Sequence, residues 1–236
     1  MNLAEEKFEY YCGDDRLQGV LIYDQNLTTP RPGVLLAPNM MGLTESNISH
    51  ARKVAEAGYI VLAADLYGCV PGTAESAAEK MNTLKHSSAE RERMQAGLAA
   101  LQKVSWVEEE KLAAVGFCYG GHCVLELARS GAPLRAVFSL HGTLSTQSPA
   151  ARNGFKGEVI VMNGAEDPLV SPDDIAGFSL EMARAQAGFR LINYAGAVHS
   201  FTYPRADVPG KMEYNETVCN HAFRTMFDIL KEKFSA

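Results

Sequence analysis

Residues 116–121 read Gly116-Phe117-Cys118-Tyr119-Gly120-Gly121, and their context decides the fold. The run 112–116 ahead of them is apolar and the run 122–129 behind them reads as helix, so Cys118 falls at a strand-to-helix turn. Turns of this glycine-flanked form usually carry serine at the apex; here the apex is cysteine. The apex residue is held in a strained backbone conformation. Side chains at 116 and 120 would collide with the adjoining strand and helix, which is why small residues are needed there. The pattern predicts Cys118 at the carboxyl edge of a parallel sheet.

Working outward, residues 7–12 and 17–24 alternate loosely about Gly13-Asp14-Asp15, as an antiparallel hairpin would. The period then changes. Short apolar strands are predicted at 33–37, 59–64, 112–116, 136–140, 158–163 and 190–194. Helices are predicted at 44–58, 88–103, 121–130, 172–187 and 213–233. Strand and helix alternate, so the expected class is α/β, a mainly parallel twisted sheet flanked by helices on both faces. The Gly-, Pro-, Ala- and Ser-rich stretch 66–88 interrupts the rhythm and reads as a lid or a connector.

The chain has 236 residues, 47% hydrophobic and 21% charged, enough for one α/β domain with a large core, and a single domain over 1–236 is expected. The net charge of −6 carries no basic block, which argues against nucleic acid or an anionic membrane surface as a partner. Five cysteines, odd in number and without C-x-x-C spacing, indicate neither a disulfide framework nor a zinc site. A reducing, cytoplasmic setting fits them. The N-terminal residues lack an apolar core of the kind a secretion signal needs, and no run approaches about 18 apolar residues.

Three predicted strand ends carry reactive residues. Cys118 follows one strand, Asp167 follows the strand at 158–163, and His199 follows the last strand. Nucleophile, acid, histidine is the chain order of the α/β-hydrolase fold. In such a set the acid fixes the tautomer of His199, whose other ring nitrogen takes the thiol proton. Glu166 competes with Asp167 by adjacency, and Pro168 after it favours Asp167. A thiolate is the better leaving group from its own tetrahedral adduct, so productive collapse needs a good leaving group such as an enolate or phenolate. Enol lactones, aryl esters and, as side substrates, activated phosphotriesters meet that condition.

Among the other titratable residues, Cys123 is expected in the core, and Cys12, Cys69 and Cys219 are read as structural. His141 ends a strand on the reactive edge and is a pocket candidate. His122 is assigned to packing or capping, and His50, His86 and His221 to helix surfaces.

The chain resembles the dienelactone hydrolase family over nearly its whole length. The landmarks are the cysteine turn at 116–121, Ala64-Asp65-Leu66-Tyr67-Gly68 followed by Pro71-Gly72-Thr73, Gly164-Ala165-Glu166-Asp167, and Gly196-Ala197-Val198-His199-Ser200-Phe201. The resemblance implies an α/β-hydrolase fold, a Cys118-His199-Asp167 triad, no metal or organic cofactor, and a small-molecule ester or lactone substrate cleaved through an acyl-thioester. The fold geometry adds an oxyanion hole from the backbone N–H groups of Tyr119 and Met40. Asn39, Met41, Tyr67, Phe201 and Tyr203 are candidates for the substrate pocket. Two departures stand out. Asn39 occupies the place where the family carries a thiol-activating glutamate, and Tyr203 the place of a carboxylate-binding arginine. Asn39 cannot accept a proton at neutral pH. Arg205, two residues on, is the alternative cation, and a neutral or less charged ester is the expected substrate. A second reading is a non-catalytic scaffold that binds a small hydrophobic molecule or senses oxidants through Cys118; a complete triad would be unnecessary for that.

Overall fold

The computed structural model describes residues 2–235. A long hairpin opens the chain, β1 (Leu3–Cys12) and β2 (Asp15–Asp24), followed by β3 (Arg31–Ala37), α1 (Glu45–Glu56), β4 (Ile60–Ala63), α2 (Ala74–Leu84) and α3 (Ser88–Gln102). Then come β5 (Val107–Phe117), α4 (Tyr119–Arg129), β6 (Ala136–Leu140), β7 (Glu158–Gly164), α5 (Pro172–Ala185) and β8 (Phe189–Tyr194). A two-residue pair, β9 (Asp207–Val208) and β10 (Met212–Glu213), precedes α6 (Glu216–Ser235).

Eight strands form one sheet in the order β1-β2-β4-β3-β5-β6-β7-β8. The hairpin joins antiparallel through β2 to β4, and every pair from β4 to β8 is parallel. Parallel strands covered on both faces read as continuous apolar runs. All four residues of β4 and all five of β6 are buried accordingly. One face is covered by α1 and α6, whose Ala51, Val54, Phe223 and Met226 pack on Val115 and Phe117. The other is covered by α3 and α4, through Met94, Leu98, Cys123 and Leu127.

The strand order reverses at β3, which pairs with β4 on one side and β5 on the other. The chain leaves β3 for α1 on one face and leaves β5 for α4 on the opposite face, so the loops part between them. Such a point in an α/β sheet leaves a crevice at the strand carboxyl ends. Cys118 ends β5 at this crevice and the 38–44 loop ends β3.

The structure adds one helix to the sequence expectations and corrects two of them. Residues 74–84, inside the stretch read as lid or connector, form α2, capped by the Thr73 hydroxyl accepting the Ser76 N–H at 3.2 Å. His50 is buried rather than on a helix surface, its ring 4.3 Å from that of Phe117 and its Nε2 3.1 Å from the Thr202 carbonyl oxygen. His86 lies in the turn between α2 and α3, at a positive φ of 65°, not on a helix.

Candidate active site

The turn at Cys118 is set by two backbone approaches. A Cβ built on Gly116 would lie 2.0 Å from the Gly120 carbonyl oxygen, and one on Gly120 would lie 2.1 Å from that of Ala37. No side chain fits at either position, so α4 starts hard against the end of β3. Cys118 itself adopts φ 56° and ψ −118°, a left-handed backbone that costs on the order of 1–3 kcal/mol unless its surroundings enforce it. They do: all eleven residues of α4 are buried. The far end of the helix is tied by Arg129, which bonds Glu126, Glu181 and the Leu144 carbonyl.

The Cys118 N–H points away from the crevice, to the Leu140 carbonyl oxygen at 3.0 Å and Nδ1 of His141 at 3.1 Å. His141 is fully buried, at a positive φ of 41°, with Nε2 2.9 Å from the Thr202 hydroxyl oxygen. Since Nδ1 accepts, Nε2 carries the proton and donates to Thr202. Burial pushes this imidazole well below its usual range, so it stays neutral. The sequence placed His141 beside the pocket; its position behind the turn depends on the sheet register.

Asp167 and His199 meet across the ends of β7 and β8. His199 Nδ1 lies 2.8 Å from Asp167 Oδ2, with both side chains buried. The second Asp167 oxygen accepts the Leu169 N–H at 2.9 Å, which fixes the carboxylate plane. Glu166 is exposed. Burial alone would depress His199, but the hydrogen bond to Asp167, the nearby Cys118 thiol and the charges of both outweigh it and raise the imidazole to about 10. Its Nε2 is buried and has no hydrogen-bond partner. The His199 loop is pinned from below by the β9–β10 pair, through the Glu213 N–H to the His199 carbonyl at 3.1 Å. Strands of two residues carry no periodicity, so this support left no sequence signal.

On the other wall, Asn39 organises the loop after β3. Its Oδ1 accepts the Met41 N–H at 2.9 Å and an Asn47 Nδ2–H at 2.9 Å, which uses both lone pairs. Asn47 is the hub the sequence did not reveal: its amide also reaches the Gly42 carbonyl, and its oxygen accepts from the Asn39 N–H and the Tyr203 hydroxyl. Tyr203 is therefore not a pocket residue. Its ring is buried in the core, and its hydroxyl donates to Asn47 at 2.6 Å. Phe201 is likewise fully buried, edge-on to His141 and Tyr194, so it packs rather than lines an open pocket. Met40, Met41 and Tyr67 remain half-buried at the crevice. Tyr67 is held by its N–H to Asp65 Oδ1 at 2.9 Å, which also takes the Gly68 N–H. Arg205 is exposed and faces solvent. Among the described residues, no helix is long and apolar enough to cross a membrane.

The sheet order, the cysteine turn and the paired Asp and His at neighbouring strand ends define an α/β-hydrolase-fold enzyme. The chain belongs to the dienelactone hydrolase family, which matches residues 17–234. It is similar to the crystal structure of a dienelactone hydrolase-like promiscuous phosphotriesterase from metagenomic libraries, at 33% identity and a TM-score of 0.91 over 98% of this chain and 99% of that one. A Caenorhabditis elegans protein of uncharacterized function is 34% identical over 147 residues, 61% of this chain and 93% of that protein. A Bradyrhizobium protein named as a probable 2-oxo-3-(5-oxofuran-2-ylidene)propanoate lactonase is 26% identical over 182 residues, 72% of this chain and 73% of that protein. This chain is a hydrolase of the ester and lactone class.

Proposed function

We propose that this protein cleaves activated carboxylic esters and enol lactones through a thioester on Cys118. The observation that carries the reading is the His199–Asp167 bond of 2.8 Å at the same sheet edge as the strained Cys118 turn. With Nδ1 engaged by Asp167, Nε2 is the nitrogen left for the thiol, and the raised imidazole favours a thiolate–imidazolium pair.

In the first half-reaction the Cys118 sulfur forms a bond to the carbonyl carbon, and the carbonyl electron pair moves onto oxygen. In this reading the backbone N–H groups of Met40 and Tyr119 receive that charge. Collapse of the adduct breaks the bond to the leaving oxygen, which takes the proton of His199. In the second half-reaction His199 accepts a proton from water as the hydroxyl adds to the thioester carbon. Collapse then releases the acid and restores the thiolate, with His199 again protonated. Stable alkyl esters should turn over poorly, because their alkoxides leave less readily than the thiolate.

Both oxygen lone pairs of Asn39 are occupied, by the Met41 N–H and by Asn47 of α1, so activation of the thiol falls to His199 alone. With Arg205 in solvent and Tyr203 in the core, neither position offers a cation for a substrate carboxylate, which favours neutral substrates. The name of the phosphotriesterase relative supports a side activity on aryl phosphotriesters, which are also neutral electrophiles. Five free cysteines favour a reducing, cytoplasmic setting. One domain acting on a small molecule, without nucleic acid or membrane as partner, is part of the same reading. Mass spectrometry of the intact protein, quenched during turnover of a p-nitrophenyl ester, tests it. An acyl mass on wild type and none on Cys118→Ala, with loss of turnover, is expected; retained turnover in Cys118→Ala would overturn it.

A further inference from the structure

A second cluster of ligating side chains, none of them in the proposed triad, gathers where α4 meets the start of α3. His86 stands in the turn before α3, Glu90 in the first turn of α3, and His122 in the first turn of α4. One ligand atom from each lies within 4.8 Å of the other two. Glu90 and His122 are 1% and 0% exposed, and His86 is at the surface.

Glu90 is a buried carboxylate without a matching fixed cation. Buried charges in proteins are paired or coordinate metals. Among the described residues no lysine or arginine forms an ion pair with it. Its neighbour Arg91 is committed to Glu126, through bonds of 2.9 and 2.7 Å. Glu90 receives the His86 N–H at 2.9 Å and a weak contact from the Cys123 thiol at 3.8 Å.

His122 supplies the other half of the argument. Its Nδ1 lies 3.4 Å from the Thr143 carbonyl oxygen, a group that can only accept, so Nδ1 carries a proton. Nε2 lies 3.5 Å from Glu90 Oε2 and has no hydrogen-bond partner. In the neutral ring this sets a lone pair against a carboxylate, which a shared cation, a proton or a metal ion, would relieve. A histidine that gives its second N–H to a backbone carbonyl is the usual support of a metal ligand. The edge of a tetrahedron with bonds of about 2.0–2.1 Å is about 3.4 Å, and the Nε2–Oε2 distance of 3.5 Å already matches it. Only His86, on a surface turn, has to draw its ring inward. A cavity of about 300 Å³, lined by His86, Glu90, Arg91, Glu126 and Ser148 among others, adjoins the cluster.

We infer that His86, Glu90 and His122 form a binding site for a divalent transition-metal ion of the zinc type, with water completing the coordination. Two imidazoles and one carboxylate suit zinc, cobalt or nickel and disfavour magnesium or calcium. The ion fastens the α2–α3 turn to α4, one helical turn beyond Cys118, and takes no part in the thiol chemistry. The expectation of no zinc site rested on cysteine spacing, whereas these ligands come from two segments over thirty positions apart.

The test uses chelator-treated full-length protein carrying Cys118→Ala, which removes the other thiol and imidazole pair able to hold zinc. Calorimetric titration with zinc chloride should show one equivalent bound with Kd below about 10 μM, and cobalt should give the visible absorption of a four-coordinate site. His86→Ala, at the surface and away from the core, should weaken binding by more than about tenfold; Glu90→Gln should do the same. His221→Ala, at an exposed position of α6, should leave binding unchanged. Absence of stoichiometric binding, or binding indifferent to His86→Ala, would overturn the assignment.

Discussion

His141 accepts the backbone N–H of Cys118 through Nδ1, at 3.1 Å. The cysteine turn is thus held from behind by a neutral histidine whose tautomer is fixed by Thr202. Removing the Thr202 hydroxyl leaves the His141 Nε2–H buried and unpaired. Thr202→Val should lower stability by about 1–3 kcal/mol, read as a shifted urea midpoint at unchanged slope. An unchanged midpoint would show that the His141–Thr202 contact is not a hydrogen bond that matters.

Asp167 and its neighbour Glu166 separate cleanly by burial. Asp167→Asn should cut kcat on an aryl ester by roughly 10³–10⁴-fold by favouring the wrong imidazole tautomer, while Glu166→Gln stays near wild type. The reverse ranking would move the acid to Glu166.

Stability should carry the signature of His199. Its imidazole is raised from the ordinary 6.5 to about 10 in the folded protein, so the folded state holds a proton that the unfolded chain releases. That contribution is complete below about 6.5 and fades as pH rises through about 10. Urea unfolding of wild type and His199→Gln at several pH values should show a stability gap that narrows between pH 7 and 10.5. A gap that widens with pH would contradict the raised imidazole.

The two acceptor bonds of Asn39 predict which replacements its loop tolerates. Asn39→Asp keeps the oxygen that receives the Met41 N–H and the Asn47 amide, and should stay within about 1 kcal/mol of wild type. Asn39→Ala should cost about 1–3 kcal/mol and also lower kcat, because the Met40 N–H belongs to the same loop. Equal stability of the two variants in denaturant titration would rule the network out.

Glycines at 116 and 177 should respond in opposite directions. A Cβ on Gly116 meets backbone at 2.0 Å, whereas one on Gly177, exposed within α5, meets nothing within 4 Å. Gly116→Ala should fail to accumulate as soluble protein. Gly177→Ala should raise stability by roughly 0.5–1 kcal/mol through helix propensity, seen as a higher thermal midpoint.

Much of this architecture was legible because buried parallel strands leave unbroken apolar runs. The 136–140 strand was read with the bounds the structure gives, and Asp167 and His199 were placed at strand ends by order alone. What escaped notice had physical reasons. Gly68, Pro71 and Gly72 mask the alanine- and glutamate-rich helix that follows. Residue type alone assigns His50 to a helix surface, but it lies on the face of α1 that buries Asn47, Ala51 and Val54. Phe201 and Tyr203 follow His199 closely in sequence, but the turn at Ser200, with φ 62°, sends the chain back into the core. The bond of Asn47 to Tyr203 and the approach of His122 to the His86–Glu90 pair are tertiary contacts, which one-dimensional spacing does not record.

The stitching of the His199 loop has a consequence for how the protein comes into being. The Glu213 N–H holds the His199 carbonyl, the Asn215 N–H holds that of Phe201, and the core beneath is closed by Phe223 and Met226 of α6. The cysteine turn needs strands complete by Leu140, but the bonds that seat the His199 loop come from residues 213 and 215, made more than seventy positions later. During translation Cys118 therefore exists well before His199 is seated; under the proposed mechanism the chain emerges with the means of attack but not yet the means of turnover.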